Sequence, residues 1–125
     1  MITLDQLKDI TSRIEKLKSY LEIDKKLIEI SNEEERTVNP NFWNNPKEAE
    51  AIMKNLRFKK KWVEDYNKTI LLNEEVNVLY EFYKEGEVEE NEVIEQFEKT
   101  SSFLENLEFK NMLSEEGDAL SATIQ

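Results

Sequence analysis

The chain has no cysteine and no histidine, and only two glycines and two prolines in 125 residues. Each shortage excludes something. Without cysteine there is no disulfide framework and no thiol nucleophile, and without either residue there is no ordinary zinc finger. Without histidine there is no imidazole base. Two glycines cannot build a phosphate-cradling loop of the Walker or the dinucleotide-binding kind. Long apolar runs are missing as well. The longest, Ile70-Leu71-Leu72, is far too short to span a bilayer. The N-terminus shows no basic region followed by an apolar core, so no secretory signal is expected, and a cytoplasmic location is. No catalytic residues, cofactor, metal or small-molecule substrate are expected, and the chain reads as a non-enzyme.

What is present is charge, carried on helical patterning. Charged residues make up 36% and hydrophobic ones 38%, the balance of solvated amphipathic helices. The formal net charge of -11 is unevenly placed. Residues 1–80 carry 14 basic and 15 acidic side chains, whereas residues 81–118 carry 3 basic and 13 acidic. Phosphate backbones would be repelled by that last third.

Thr3 and Gln6 have the spacing of a capping box, which starts a helix. Leu7, Ile10, Ile14, Leu17 and Leu21 then recur on one face. Asp24 stands where the next apolar residue belongs, so a kink or a new helix is expected at Ile23–Asp24, with the stripe resuming at Leu27, Ile28 and Ile30. Pro40 requires that helix to end before Asn39. Asn45 followed by Pro46, with Glu48 three residues past the cap, opens another. Phe42 and Trp43, between the two prolines, are expected to be buried plugs closing a helical hairpin. A long helix follows from Pro46 to about Glu85, marked by Ala49, Ile52, Met53, Leu56, Val63, Tyr66 and Ile70, then after a phase slip by Leu72, Val76, Leu79 and Tyr83. Gly86 is placed as its C-terminal cap. Val93, Phe97, Leu104 and Leu107 mark a last helix that is expected to end near Leu113. Beyond it Leu120, Ala122 and Ile124 alternate with polar residues, a strand signal that has no partner in the chain.

The expected architecture is therefore all-α: an antiparallel bundle of three to five helices with long helical hairpins, plus an orphan C-terminal strand. Residues 1–113 form the helical domain. Residues 114–125 are a crossing into a second domain, as though the chain were a piece of a longer protein. The one basic cluster is Lys54, Arg57, Lys59, Lys60 and Lys61. Lys54, Arg57 and Lys61 share a helix face beside Trp62 and are candidates for touching RNA phosphate. Ion pairing with Glu50, Glu64 and Asp65 is the plainer reading.

The stretch Asn39-Pro40-Asn41-Phe42-Trp43-Asn44-Asn45-Pro46-Lys47-Glu48-Ala49 resembles the Asp-Pro-x-x-Trp-x-x-Pro-Glu-x-Ala signature of the bacterial peptide chain release factor 2 family. Three other pieces follow the family's order. Ser19-Tyr20-Leu21-Glu22-Ile23-Asp24 resembles its Gly-Tyr-Leu-Asp segment, Leu107-Glu108-Phe109 its leucine-glutamate-phenylalanine, and Met112–Ala119 its crossing into the codon-reading domain. Pro40, Trp43, Asn45, Pro46, Tyr20 and Leu21 carry the signature. Asn39 stands for the usual aspartate and Ser19 for glycine. The resemblance implies an N-terminal domain of a factor that terminates translation at UGA and UAA codons. It also implies ribosome contact at the large-subunit stalk base, with ribosomal RNA a possible partner and no membrane involved. The family's Ser-Pro-Phe and Gly-Gly-Gln motifs do not occur in these 125 residues. A free-standing helical adaptor that binds another protein is the alternative the sequence leaves open.

Overall fold

The computed structural model describes the backbone of residues 2–124 and the side chains of residues 2–114. The described residues form four α-helices, α1 (Leu4–Tyr20), α2 (Ile23–Thr37), α3 (Pro46–Lys84) and α4 (Glu90–Ile124), with a short 3-10 helix at Pro40–Asn44 and no strand. The chain divides into two compact units. One comprises residues 1–20 and 66–125, the other residues 21–65. The helix α3 contributes to both.

In the first unit, local signals start and stop the helices. The backbone N–H of Thr3 donates to Gln6 Oε1 at 2.8 Å and that of Gln6 donates to Thr3 Oγ1 at 3.2 Å, a reciprocal capping box. At the end of α3 the N–H of Gly86 donates to the Tyr83 carbonyl at 3.0 Å and that of Glu87 to the Phe82 carbonyl at 2.9 Å. Those two bonds make a Schellman turn, and Gly86 supplies its left-handed residue at φ 80°.

The α3–α4 pairing is antiparallel. Thr100 Oγ1 donates to the Leu72 carbonyl, Gln96 Nε2 to Glu75 Oε2, and the Lys68 ammonium lies 4.9 Å from the centre of the Phe103 ring. Positions that rise along α4 thus meet positions that fall along α3. The helix α1 runs alongside, with Asn73 Nδ2 donating to Thr11 Oγ1 and the Arg13 guanidinium gripping both carboxylate oxygens of Glu108. That bond holds the Arg13 pKa above its ordinary value. Leu7, Ile10, Ile14 and Leu17 are all buried, together with Val76, Val93, Leu104 and Leu107. Each such side chain contributes about 1.5–3 kcal/mol through burial.

The second unit is a simpler helical hairpin of α2 and the first half of α3, with Leu21, Ile23, Ile30, Ala49, Leu56 and Val63 inside. The expected break before Asp24 is present. Glu22 takes the left-handed conformation at φ 51°, so Leu21 and Ile23 are both buried while Asp24 faces out. The Lys26 ammonium donates to the Leu21 carbonyl there, and partial burial lowers its pKa.

Three expectations differ from the structure. Leu27 and Ile28 do not continue the buried stripe of α2 but are exposed, and only Ile30 is buried. Trp43 is not a buried plug: it is 55% exposed and meets Phe42 edge to face at 4.8 Å. The reason is the same in both places. A two-helix unit has one interior seam, and side chains off that seam find no third layer to cover them. Phe42, half-buried, fills the loop end of the hairpin instead. Finally, α4 does not stop near Leu113 but runs to Ile124, through the segment expected to begin a strand. A lone strand leaves its backbone groups unpaired, whereas a helix satisfies them within itself, and Gly117 costs a helix only about 1 kcal/mol. Gln125, the last residue of that expected strand, lies outside the described residues.

Candidate nucleic-acid interface

The helix α3 begins at a loop whose polar residues fix its direction. Asn39 Oδ1 accepts from the Asn41 backbone N–H at 2.9 Å, so the amide does the capping an aspartate would do. Asn45 Oδ1 accepts from the N–H of Glu48 at 3.3 Å and caps α3 just ahead of Pro46. With the start fixed and Ala49, Leu56 and Val63 turned to the seam, helical geometry dictates what faces away from it. Steps of three and four residues from Lys54 bring Arg57, Phe58 and Lys61 into one arc of about 100° on the outer side. All four side chains are exposed.

The five neighbouring cations do not share one fate. Lys59 points back to α2, where its ammonium lies 2.7 Å from Glu33 Oε1 and 3.7 Å from Glu29 Oε1. The hydrogen bond to Glu33 raises the Lys59 pKa. Lys60 pairs with Glu34 at 2.6 Å. Lys61 remains exposed but is bridged to Asp65 at 2.9 Å, and that bond raises its pKa. Lys54 and Arg57 make no ion pair or hydrogen bond among the described residues. Ion pairing thus accounts for Lys59, Lys60 and in part Lys61, and leaves two cations uncompensated. Glu64 faces solvent and forms no bridge to this cluster, and neither does Glu50.

Phe58 was not among the sequence candidates, yet it is 56% exposed at one edge of the arc. Its ring meets half-buried Trp62 edge to face at 6.1 Å. The available signal was its spacing: four residues after Lys54 and three before Lys61, off the apolar stripe. Two unpaired cations on one side of an open aromatic face suit a nucleic-acid strand, the cations for phosphate and the ring for a base or sugar. Arg57 adds a planar fork that can hold two phosphate oxygens. The unit around them is close to neutral, with 9 basic and 10 acidic residues between 21 and 65, so the strong negative field of the rest of the chain is not sited here.

No protein-family model matches the chain. Among curated proteins it is 29% identical over 120 residues to peptide chain release factor 2 of Nautilia profundicola, covering 94% of this chain and 33% of that protein. It is 30% identical over 113 residues to peptide chain release factor 2 of Haemophilus influenzae, covering 89% and 31%. The protein of that name from Proteus mirabilis is 28% identical over 116 residues, covering 91% and 32%. This chain is similar to peptide chain release factor 2 over most of its own length. It spans about one third of the length of the relatives it matches. The residues that carry its release factor 2 signature cluster at helix ends: Pro40, Trp43, Asn45 and Pro46 between α2 and α3, Tyr20 and Leu21 at the end of α1. Tyr20 and Trp43 are exposed, and Leu21 is buried. Among the described residues no helix is long and apolar enough to cross a membrane.

Proposed function

We propose that this chain is the N-terminal helical domain of a cytoplasmic class I release factor of the factor 2 type, acting in termination at UGA and UAA codons. Its part is to dock and orient the factor at the stalk base of the large ribosomal subunit. The observation that carries this reading is collinearity. Likeness to release factor 2 runs over 89–94% of the chain in relatives from several bacteria. Codon reading and peptidyl-tRNA hydrolysis belong, on this reading, to the parts of a release factor that these residues do not match. Within the domain, Lys54, Arg57 and Phe58 are assigned to ribosomal RNA, with Lys61 contributing when its bridge to Asp65 opens.

A domain exchange tests the reading. This chain replaces the matching third of the Haemophilus influenzae factor, and peptide release is measured on ribosomes programmed with UGA, UAA or UAG. The expected result is release at UGA and UAA but not UAG, with ribosome affinity within about tenfold of the parent. A folded chimaera that no longer binds ribosomes would overturn the proposal and favour a protein adaptor.

A further inference from the structure

In the first unit the outer side of α3 carries a second, chemically opposite surface. Leu71, Val78 and Phe82 fall at positions that a helix aligns, and they are 59%, 52% and 41% exposed. Leu79 and Val88 continue this apolar strip into a shallow groove between α3 and α4. Between Leu71 and Phe82 it extends about 17 Å along the helix. Its walls are acidic. Glu74 and Glu75 flank it on α3, Glu92 and Glu95 on α4, against the single cation Lys99. Among the described residues none of these four carboxylates has a cationic partner, Glu75 being held only by the Gln96 amide.

We propose that this groove binds a basic amphipathic helix of another protein, whose apolar face covers Leu71, Val78 and Phe82 while its lysines or arginines meet the flanking glutamates. An uncharged apolar partner would bring the carboxylates toward low dielectric without compensation, a costly arrangement. A second copy of this chain would oppose acid with acid. A nucleic acid or an anionic lipid surface would be repelled by the same field. A basic helix satisfies the strip and the rim together, in the helix-in-groove manner. This surface lies on a different unit from the Lys54–Lys61 face, so its occupancy and that of the RNA face are separable.

The test uses the 125-residue chain and a labelled model peptide of about 14 leucines and lysines in amphipathic helical order, with a leucine/glutamate twin as control. The lysine peptide is expected to bind and the glutamate twin not, with NMR shifts centred on Val78, Leu79 and Val88. Leu71→Ser with Val78→Ser, which leaves the charge unchanged, should weaken binding about tenfold. The matched pair Leu27→Ser with Ile28→Ser, on the other exposed apolar pair, should leave it unchanged. Glu92→Gln with Glu95→Gln should weaken binding and flatten its salt dependence. Equal loss from both serine pairs would mean nonspecific apolar adhesion, and no loss from Leu71 and Val78 attraction by bulk charge alone; either result would overturn the proposal. Dimerisation that the Leu71 and Val78 pair abolishes would assign the groove to a second copy and overturn it as well.

Discussion

Replacing Lys54 and Arg57 together by alanine in the chimaeric factor gives the most discriminating reading of the α3 face. Both side chains are exposed and unpaired, so their removal leaves no buried group unsatisfied and no bridge broken. Helix propensity changes slightly in favour of the variant. If each cation displaces one counterion from phosphate, the slope of log affinity against log salt falls by about 0.7–0.9 per contact, or about 1.4–1.8 for the pair. Across a fourfold rise in salt, the parent affinity should then drop about tenfold more than that of the variant. Lys61→Ala alone should do less, because the Lys61 ammonium already has the Asp65 carboxylate at 2.9 Å. Lys60→Ala, which removes a cation bonded to Glu34, serves as the control with no change in slope. The assay is equilibrium binding to ribosomes over a potassium chloride series. An unchanged slope in the double variant, with the helical signal intact, would refute phosphate contact by this face.

Two further outcomes probe the second unit. Trp43→Ala should cost about 1 kcal/mol or less in denaturant unfolding, whereas Leu56→Ala, at 3% exposure, should cost about 2–5 kcal/mol; equal costs would mean that Trp43 is buried after all. Lys59→Ala should destabilise the hairpin by about 1–3 kcal/mol, since Glu33 Oε2 is buried without a partner of its own, and adding Glu33→Ala should restore part of the loss. Because the folded pKa of Lys59 is raised, its contribution should be complete below its ordinary 10.5 and disappear as pH climbs through the higher folded value, a loss absent from Lys59→Ala.

The features legible in the sequence were those settled by residues three or four apart. The Thr3–Gln6 box, the Asn45 cap, the Gly86 turn and the buried stripe of α1 each depend on a side chain and its own helical turn, so spacing alone specifies them. The break at Glu22 was legible for a related reason, since a continuous helix would have buried Asp24. The illegible features depended on how many layers surround an element. Leu27, Ile28 and Trp43 are as apolar as Ile30 and Phe42, and no local rule separates them. Only the presence of a single partner helix decides which of them is covered.

The division of the basic cluster shows the same limit at the candidate site. Lys54, Arg57, Lys59, Lys60 and Lys61 form one patch in sequence, yet about 100° of rotation per residue turns Lys59 and Lys60 toward the glutamates of α2 and leaves Lys54 and Arg57 outside. The neighbouring acids Glu50, Glu64 and Asp65 were visible as possible partners, and of these Asp65 holds Lys61. Glu29, Glu33 and Glu34, more than twenty residues away, were not visible as partners, because that pairing exists only once α2 folds back on α3. Folding therefore sorts one run of cations into a structural set that ties the hairpin and a free set that it displays beside Phe58. A charge run becomes a binding surface only where tertiary pairing leaves a remainder, and here the remainder is Lys54 and Arg57.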